Sequence, residues 1–72
     1  MELYQLNTFV RIADEGSLTR AAELLFTSQP AISAQIKALE DELGVTLFER
    51  SARGMQLTAK GSLLYDHAMS TL

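Results

Sequence analysis

Residues Ala21 to Ile36, which read AAELLFTSQPAISAQI, decide the fold of this chain. They contain a short apolar run, a break at Thr27 and Ser28, and a second run that opens at Gln29. The apolar side chains of the second run recur at the spacing of one helix face: Ile32, Ile36, Leu39 and Leu43. Two helices on either side of a tight break predict a helix-turn-helix.

The opposite face of the helix that opens at Gln29 is polar. Gln29, Ser33 and Lys37 lie on it at i, i+4 and i+8, and Pro30 and Ala34 form the row beside them. A helix with one packed side and one side of short hydrogen-bonding groups and a single cation suits the major groove of a nucleic acid. The pattern therefore predicts a recognition helix.

Two further helices are predicted before the recognition helix. An apolar stripe at helical period predicts the first over residues 2–14: Leu3, Leu6, Phe9, Val10 and Ala13. Gly16 ends this helix, and Ser17 is a suitable N-cap for a second helix that runs to about Leu25. The packing residues of the second helix are Ala21, Ala22, Leu24 and Leu25.

The ends of the third helix, over about residues 28–43, are marked by capping residues. Thr27 or Ser28 is its N-cap, and Pro30 is tolerated because the first turn needs no intrahelical N–H. Gly44 is a suitable C-cap at the other end.

The residue pattern changes after Gly44. Residues 46–50 and 55–57 are short, β-tolerant stretches, and the residues between them form a loop that contains Gly54. This arrangement predicts a small hairpin over about residues 46–57.

A fourth helix is predicted to begin after its N-cap, Thr58. Its apolar side chains fall on one side: Leu63 or Leu64, Ala68 and Leu72. Because the helix shows no stop signal, the chain is expected to be a piece of a longer protein. The expected division is a folded domain over 1–58 and the start of a linker helix over 59–72.

Composition excludes several classes of protein. The chain has 72 residues, no cysteine and one histidine, so it is at most one small domain without disulfides or thiolate metal sites. No apolar run approaches the roughly 20 residues of a membrane span, and no secretory pattern opens the chain. We expect a soluble intracellular domain.

Charge is segregated along the chain. The net charge of −3 argues against nucleic acid if taken as a total, because phosphate contacts dominate affinity. Residues 40–49 carry four acids and no cation, however, whereas residues 50–60 carry Arg50, Arg53 and Lys60 and no acid. Only a local basic patch needs to face DNA.

Taken together, these motifs resemble one known family. The matching pieces, in chain order, are Leu6-x-x-Phe9, Gly16-Ser17-Leu18-Thr19-x-Ala21-Ala22-x-x-Leu25, Ser28-Gln29-Pro30-Ala31-Ile32-Ser33-x-Gln35-Ile36-x-x-Leu39-Glu40, Leu43-Gly44-x-x-Leu47-Phe48-x-Arg50 and Leu57-Thr58-x-x-Gly61. They cover nearly the whole chain and resemble the DNA-binding domain of the bacterial LysR-type transcriptional regulators. Any one piece alone would be weak, but the combination is highly specific.

The resemblance implies a mainly α winged helix-turn-helix: a three-helix core, a hairpin wing, and a long fourth helix for dimerisation and linkage. It implies a homodimer on a partly palindromic operator in double-stranded DNA, with higher oligomers in the full-length protein. A small-molecule effector would act only through a further domain, and the expected location is the cytoplasm, at the nucleoid. One departure is Ala34, where many relatives carry a basic residue. The contact that this basic residue makes with DNA in the family therefore cannot be carried over to this chain.

The candidate DNA contacts lie on the third helix and the wing. On and just before the helix they are Thr27, Ser28, Gln29, Pro30, Ser33, Ala34 and Lys37, and on the wing they are Arg50 and Arg53. The Gln29 amide can pair with an adenine edge, and Lys37 is placed for a phosphate. Arg53, beside Gly54, can reach a phosphate or a narrow minor groove, whereas Arg50 either does the same or pairs with an acid and holds the wing. Hydroxyls at helix starts, including Ser17 and Thr19, cap helices or meet phosphates.

The fourth helix also offers a candidate dimer interface. Leu64, Ala68 and Leu72 recur at i, i+4 and i+8, and a short chain has few ways to bury such a stripe. The alternative is that the stripe packs inside its own domain, against Leu3 and Leu6.

No enzyme is predicted. Asp66 and His67 are adjacent, and neighbouring helix positions point about 100° apart, which is poor geometry for a base and its orienting acid. Glu40, Asp41 and Glu42 are interpreted as a solvated run rather than a metal cluster, and no cofactor is expected. One remaining alternative is a winged-helix module that binds protein or only dimerises. A small-molecule sensor is disfavoured, because the chain has no room for a pocket.

Overall fold

A computed structural model describes residues 1–71 of the chain, with side chains for residues 1–70. Its elements are α1 (Leu3–Glu15), α2 (Leu18–Leu24), α3 (Gln29–Leu43), β1 (Phe48–Ser51), β2 (Gly54–Leu57) and α4 (Ala59–Thr71). Each predicted helix and the predicted hairpin are present. The mainly α class, with a helix-turn-helix followed by a two-stranded wing, is confirmed.

Local capping sets the bounds of α1, α2 and α3. The Ser17 hydroxyl oxygen accepts the Arg20 N–H at 3.2 Å, at the start of α2. At the start of α3, the Ser28 hydroxyl oxygen accepts the Ala31 N–H, also at 3.2 Å. Both donors are backbone groups. Ser28 is therefore the N-cap, and Thr27 is not. α1 and α3 each end at a glycine in the left-handed conformation, as predicted.

The turn between α2 and α3 closes with a Schellman motif. The Phe26 N–H donates to the Glu23 carbonyl at 3.2 Å, and the Thr27 N–H donates to the Ala22 carbonyl at 3.0 Å. Phe26 takes the left-handed position of this motif, with φ of 56°, and its side chain is 96% exposed. The turn thus places a residue with a strained backbone and a solvent-facing phenyl ring between the two helices.

The three-helix core is small and fully apolar at its centre. Its largest fully buried side chains are Phe9, Ile12, Ile32, Leu39 and Leu47. The rings of Phe9 and Phe48 lie 5.3 Å apart at 50°, so the wing is packed against α1. Three leucines predicted to pack are instead exposed, because each is a terminal residue of its helix, beyond the cover of the neighbouring helices: Leu3, Leu24 and Leu43.

The wing is an antiparallel pair in the register Phe48↔Leu57 to Ser51↔Gly54. Its loop is therefore two residues, Ala52 and Arg53, rather than the four predicted. A side chain at position 54 would meet the Gly16 carbonyl oxygen, since an added Cβ there would lie 2.3 Å away. The Met55 N–H donates to the same oxygen at 3.0 Å, which fixes the wing against the α1–α2 turn.

β1 begins at Phe48, two residues later than predicted, because both polar backbone groups of Leu47 are used elsewhere. Its N–H donates to the Glu40 carboxylate at 2.7 Å, and its carbonyl accepts the Thr58 N–H at 3.0 Å. The Phe48 N–H also reaches the Glu40 carboxylate, at 3.4 Å. Glu40 is thus half-buried and joins α3 to the wing, which corrects its interpretation as a solvated acid.

α4 lies against its own domain. Thr58 caps it, accepting the Gly61 N–H at 3.0 Å, and an added Cβ at Gly61 would lie 2.2 Å from the Leu47 carbonyl oxygen. Tyr65 donates its hydroxyl to an Asp14 carboxylate oxygen at 2.5 Å, which ties α4 to α1.

The candidate dimer stripe on α4 is largely covered within the monomer. Ala68 is 2% exposed and Leu64 is half-buried against the core, as the alternative interpretation anticipated. Leu3 is not part of that packing, since it is exposed. The large apolar residues of α4 that face solvent are Leu63 and Met69, while Leu72 lies outside the described residues.

Candidate nucleic-acid interface

The exposed side of α3 carries the residues predicted to contact DNA. Gln29, Pro30, Ala34 and Lys37 are exposed and Ser33 is half-buried. The opposite side of the helix, formed by Ile32, Ile36 and Leu39, is buried in the core. The sequence therefore assigned the two faces of this helix correctly.

The Gln29 amide is held by α2. Its Nε2 donates to the Thr19 hydroxyl oxygen at 2.9 Å, across the helix-turn-helix. One amide hydrogen and the carbonyl oxygen of Gln29 remain for another partner, and this pair is the one that matches an adenine edge. The N-cap of α2 is Ser17 rather than Thr19, and the Thr19 hydroxyl oxygen orients Gln29.

Lys37 lies two turns along α3 from Gln29. Its Nζ is 3.1 Å from a carboxylate oxygen of Asp41, and both side chains are mostly exposed. Such i, i+4 pairs contribute only about 0.3–0.5 kcal/mol, so a phosphate can replace the acid. Residues 29–37 themselves contain no acid, which leaves the leading part of α3 free of like-charge repulsion with DNA.

Arg50 joins the wing to the recognition helix. It lines one shallow depression together with Ser33 and Lys37, and a second together with Gln29 and Thr19. Its side chain is exposed, and within the described part of the chain it forms no ion pair. The alternative in which Arg50 pairs with an acid is therefore not observed.

Arg53 occupies the second position of the two-residue wing loop and is exposed. The backbone N–H of Arg53 donates to the Ser51 hydroxyl oxygen at 3.2 Å. Because Gly54 is packed on the Gly16 carbonyl, the loop projects from an anchored hairpin. Arg53 does not line the depressions that hold Arg50, so the two arginines serve different parts of the surface.

Thr27 and Ser28 have separate environments. The Ser28 hydroxyl oxygen is used in capping α3. Thr27 is exposed and lines a third depression, on the side of α3 that faces α1.

Sequence reasoning missed three parts of this arrangement: the Gln29–Thr19 bond, the Glu40 link to the wing, and the Thr8–Gln35 bond between α1 and α3. The first and third join residues ten and 27 positions apart. For Glu40 a signal existed, because it directly follows Leu39 on the edge of the apolar stripe.

Within residues 1–71, no helix combines the length and the apolar character that crossing a membrane requires.

A family comparison covers most of the chain. Residues 3–62 match the model described as "Bacterial regulatory helix-turn-helix protein, lysR family". The chain is 49% identical over 72 residues to the HTH-type transcriptional regulator ClcR of Pseudomonas putida, and 51% identical over 72 residues to TfdS of Cupriavidus pinatubonensis. Each alignment covers all of this chain and 24% of the relative, so the chain spans about a quarter of their length.

Solved structures show the same fold. The DNA complex of the CbnR DNA-binding domain superposes with a TM-score of 0.92 at 45% identity, covering 99% of this chain and 82% of that one. The complex of the BenM DNA-binding domain with benA site 1 DNA gives 0.93 at 42% identity, covering 99% and 83%. The resemblance found in the motifs is therefore confirmed for the three-dimensional fold.

Proposed function

The chain belongs to the LysR family of bacterial helix-turn-helix regulators, and on this basis we propose that it is a sequence-specific DNA-binding domain of such a regulator. One observation carries the proposal: Gln29, Ser33, Lys37 and Arg50 lie around one continuous, solvent-facing surface. Similar domains from CbnR and BenM are described in complexes with DNA.

The dimensions of α3 suit the major groove. From Gln29 to Lys37 the helix advances eight residues, or about 12 Å at about 1.5 Å per residue. The major groove is about 12 Å wide, so the N-terminal half of α3 crosses it once. Gln29 then pairs with an adenine, oriented by Thr19, and Lys37 meets a phosphate at the groove edge.

Short side chains complete the reading surface. Pro30 and Ala34 offer apolar contact to thymine methyl groups, and Ser33 lets the helix approach closely. Ala34 makes no hydrogen bond, so base preference at its position comes from shape and methyl contact. This differs from relatives with a basic residue there.

The wing binds beside the helix. Arg50 lies next to α3 and contacts the nearer backbone, while Arg53 extends further, to a flanking phosphate or the minor groove. Together with Lys37 they make three cations on this side, despite the net charge of −3.

The assembly is also part of the proposal. Two chains would pair through α4 to read a partly palindromic operator, with residues 59–72 as the start of a longer linker helix. An effector would act through a further domain, and the regulator would work in the cytoplasm, at the nucleoid. In the structures of CbnR alone and of full-length CbnR with its target DNA, this chain covers 25% of the regulator.

The rival function is a winged-helix module that binds protein, which the acidic net charge favours. Selection of duplexes from a random library, followed by binding measurements at rising salt, separates the two. Three phosphate contacts at about 0.9 each give a slope of log K against log salt of about −2.7 per chain. Arg53→Ala should reduce this slope by about one unit on every duplex.

Glu23→Ala serves as a control, because Glu23 is exposed on α2 and lies outside the surface just described. A slope near zero for the wild-type domain, with no enriched duplex, would contradict the proposal.

A further inference from the structure

The two sides of α3 face different elements. Ser33 and Gln35 are two residues apart, so they lie about 200° apart around the helix axis. Ser33 borders the depression shared with Arg50 of the wing. Gln35 borders a different depression, shared with Tyr4 and Asn7 of α1. The recognition helix therefore has a wing flank and an α1 flank.

The α1 flank is a polar rim over an apolar floor. The rim is formed by Tyr4, Asn7, Thr27 and Gln35, and the floor by Leu25 and Ile32. Tyr4, Asn7 and Thr27 are exposed, whereas Gln35 is half-buried. No carboxylate lines this depression.

The hydrogen bond between α1 and α3 sets which group of Gln35 faces outward. The Thr8 hydroxyl donates to the Gln35 Oε1 at 2.7 Å, and Thr8 itself is buried. The amide oxygen of Gln35 is thereby occupied, and its Nε2 hydrogens are left for an acceptor. The hydroxyls of Tyr4 and Thr27 and the amide of Asn7 add further donors on the same rim.

Resting on the proposed function, we infer that this α1 flank, formed by Tyr4, Asn7, Thr27 and Gln35, binds the DNA backbone strand opposite the one that the wing contacts. A helix in the major groove lies between two phosphate backbones, and the wing occupies one side of α3 only. Hydroxyl and amide donors are common ligands of phosphate oxygens in protein–DNA complexes.

The two flanks differ in charge. The depression of the wing flank is lined by Lys37 and Arg50 together with the acid Glu40, and Arg53 lies on the adjoining wing loop. The depression of the α1 flank contains neither lysine nor arginine. Contacts on the α1 flank therefore add affinity without the counterion release that cations cause. A lysine introduced there would create the missing charge contact.

Asn7→Lys tests the inference. Asn7 is exposed on α1, so the variant is expected to fold. On a selected duplex and on a random duplex alike, it should raise affinity several-fold and steepen the salt slope by about 0.9. Asn7→Asp should lower affinity for both duplexes.

Two controls isolate the position from the charge. Glu23→Gln makes the same change of +1 in net charge at an exposed site on α2, outside the proposed DNA surface, and should leave the salt slope unchanged. Asn7→Gln lengthens the side chain without charge and should also leave it unchanged.

The outcomes are distinct. If wild type binds DNA with the slope expected from the wing, but Asn7→Lys behaves as Glu23→Gln does, the α1 flank is wrong and the proposed function stands. If the wild-type domain binds no DNA, the proposed function fails and the α1 flank fails with it. A steeper slope for Asn7→Lys alone supports the inference.

Discussion

At the scale of single residues, Phe26 is the clearest departure from local preference. It holds the left-handed position of the Schellman motif, with φ of 56°, where glycine is usual. Its ring is 96% exposed, so it contributes little packing in the isolated domain. The position is therefore strained by its backbone and not compensated by burial.

Phe26→Gly should stabilise the domain by a net amount of about 0.5–1 kcal/mol. Glycine adopts the left-handed conformation without steric cost, and this gain is partly offset by the larger conformational entropy of glycine in the unfolded chain. Urea unfolding measures the change. Phe26→Ala is the matched control, since it removes the ring but keeps the Cβ that causes the strain. An equal gain for both variants would assign the effect to the exposed ring instead.

Tyr65 carries a pH-dependent contribution to stability. The pKa of Tyr65 is raised above its usual value of 10.0, first by the hydrogen bond to Asp14, then by burial and the negative charges of Asp14 and Asp66. Since the folded-state pKa is the higher one, the contribution is fully present below about pH 10 and is lost as the pH rises through the raised pKa.

The difference in unfolding free energy between wild type and Tyr65→Phe should therefore shrink as the pH rises above about 10. Chemical denaturation at a series of pH values provides the measurement. A difference that stays constant across this alkaline range would show that the Tyr65–Asp14 bond makes no pH-dependent contribution.

Single residues were predictable where the chemistry is local. Ser28 was predicted as one of two candidate N-caps of α3, and Gly44 as its C-cap. Both predictions were possible because capping depends on neighbours within a few residues. The role of Thr19 was not predictable, since it depends on the angle at which α2 and α3 cross. Its hydroxyl is brought to Gln29 by the fold and by no sequence pattern.

At the scale of elements, the central feature is the attachment of the wing to α3. The Glu40 carboxylate accepts the Leu47 and Phe48 N–H groups, at the point where the chain leaves α3 and enters β1. These bonds, with the packing of Gly54 on Gly16, set the position of Arg50 relative to the recognition helix. The position of the wing relative to α3 is therefore set by the Glu40 carboxylate and by the close backbone contact at Gly54.

Glu40→Ala should cost about 1–3 kcal/mol, because two part-buried N–H groups lose a charged acceptor. Asp41→Ala is its neighbour-matched control and should change stability by less than about 0.5 kcal/mol, since its pair with Lys37 is exposed. Equilibrium unfolding in urea decides between them. Similar losses for both variants would contradict the role given to Glu40.

The same contact explains why strand bounds were less predictable than helix bounds. The helices carry periodic apolar residues and caps, so α1 and α3 were located to within a residue or so. β1 started two residues later than expected, because Leu47 bonds to α3 and to Thr58 rather than to β2. A short stretch of sequence does not indicate whether a backbone group forms a tertiary hydrogen bond or one within the sheet.

At the scale of the whole molecule, the prediction of which α4 side chains form the dimer interface needs revision. Ala68 and Leu64 pack on the domain itself, which leaves Leu63 and Met69 as the large apolar side chains of α4 that meet solvent. The sequence showed an apolar stripe but not which side would lie against α1. We therefore propose that a dimer through α4 uses the exposed side chain of Leu63.

Leu63→Asp should weaken dimerisation and leave the fold intact, because Leu63 is 57% exposed and burying a leucine contributes about 1.5–3 kcal/mol. Leu64→Asp should instead destabilise the monomer. Sedimentation equilibrium and circular dichroism of both variants provide the measurement. A folded, monomeric Leu64→Asp with an unaffected Leu63→Asp would return the interface to the stripe first predicted.

The central claim is that α3 reads bases, with Gln29 as its leading contact. The most direct measurement is the affinity of wild type and Gln29→Ala for the selected duplex and for random DNA at one salt concentration. The account predicts a loss of about 1–3 kcal/mol on the selected duplex and little on random DNA. Equal losses on both duplexes would contradict it, because Gln29 would then contact only the backbone.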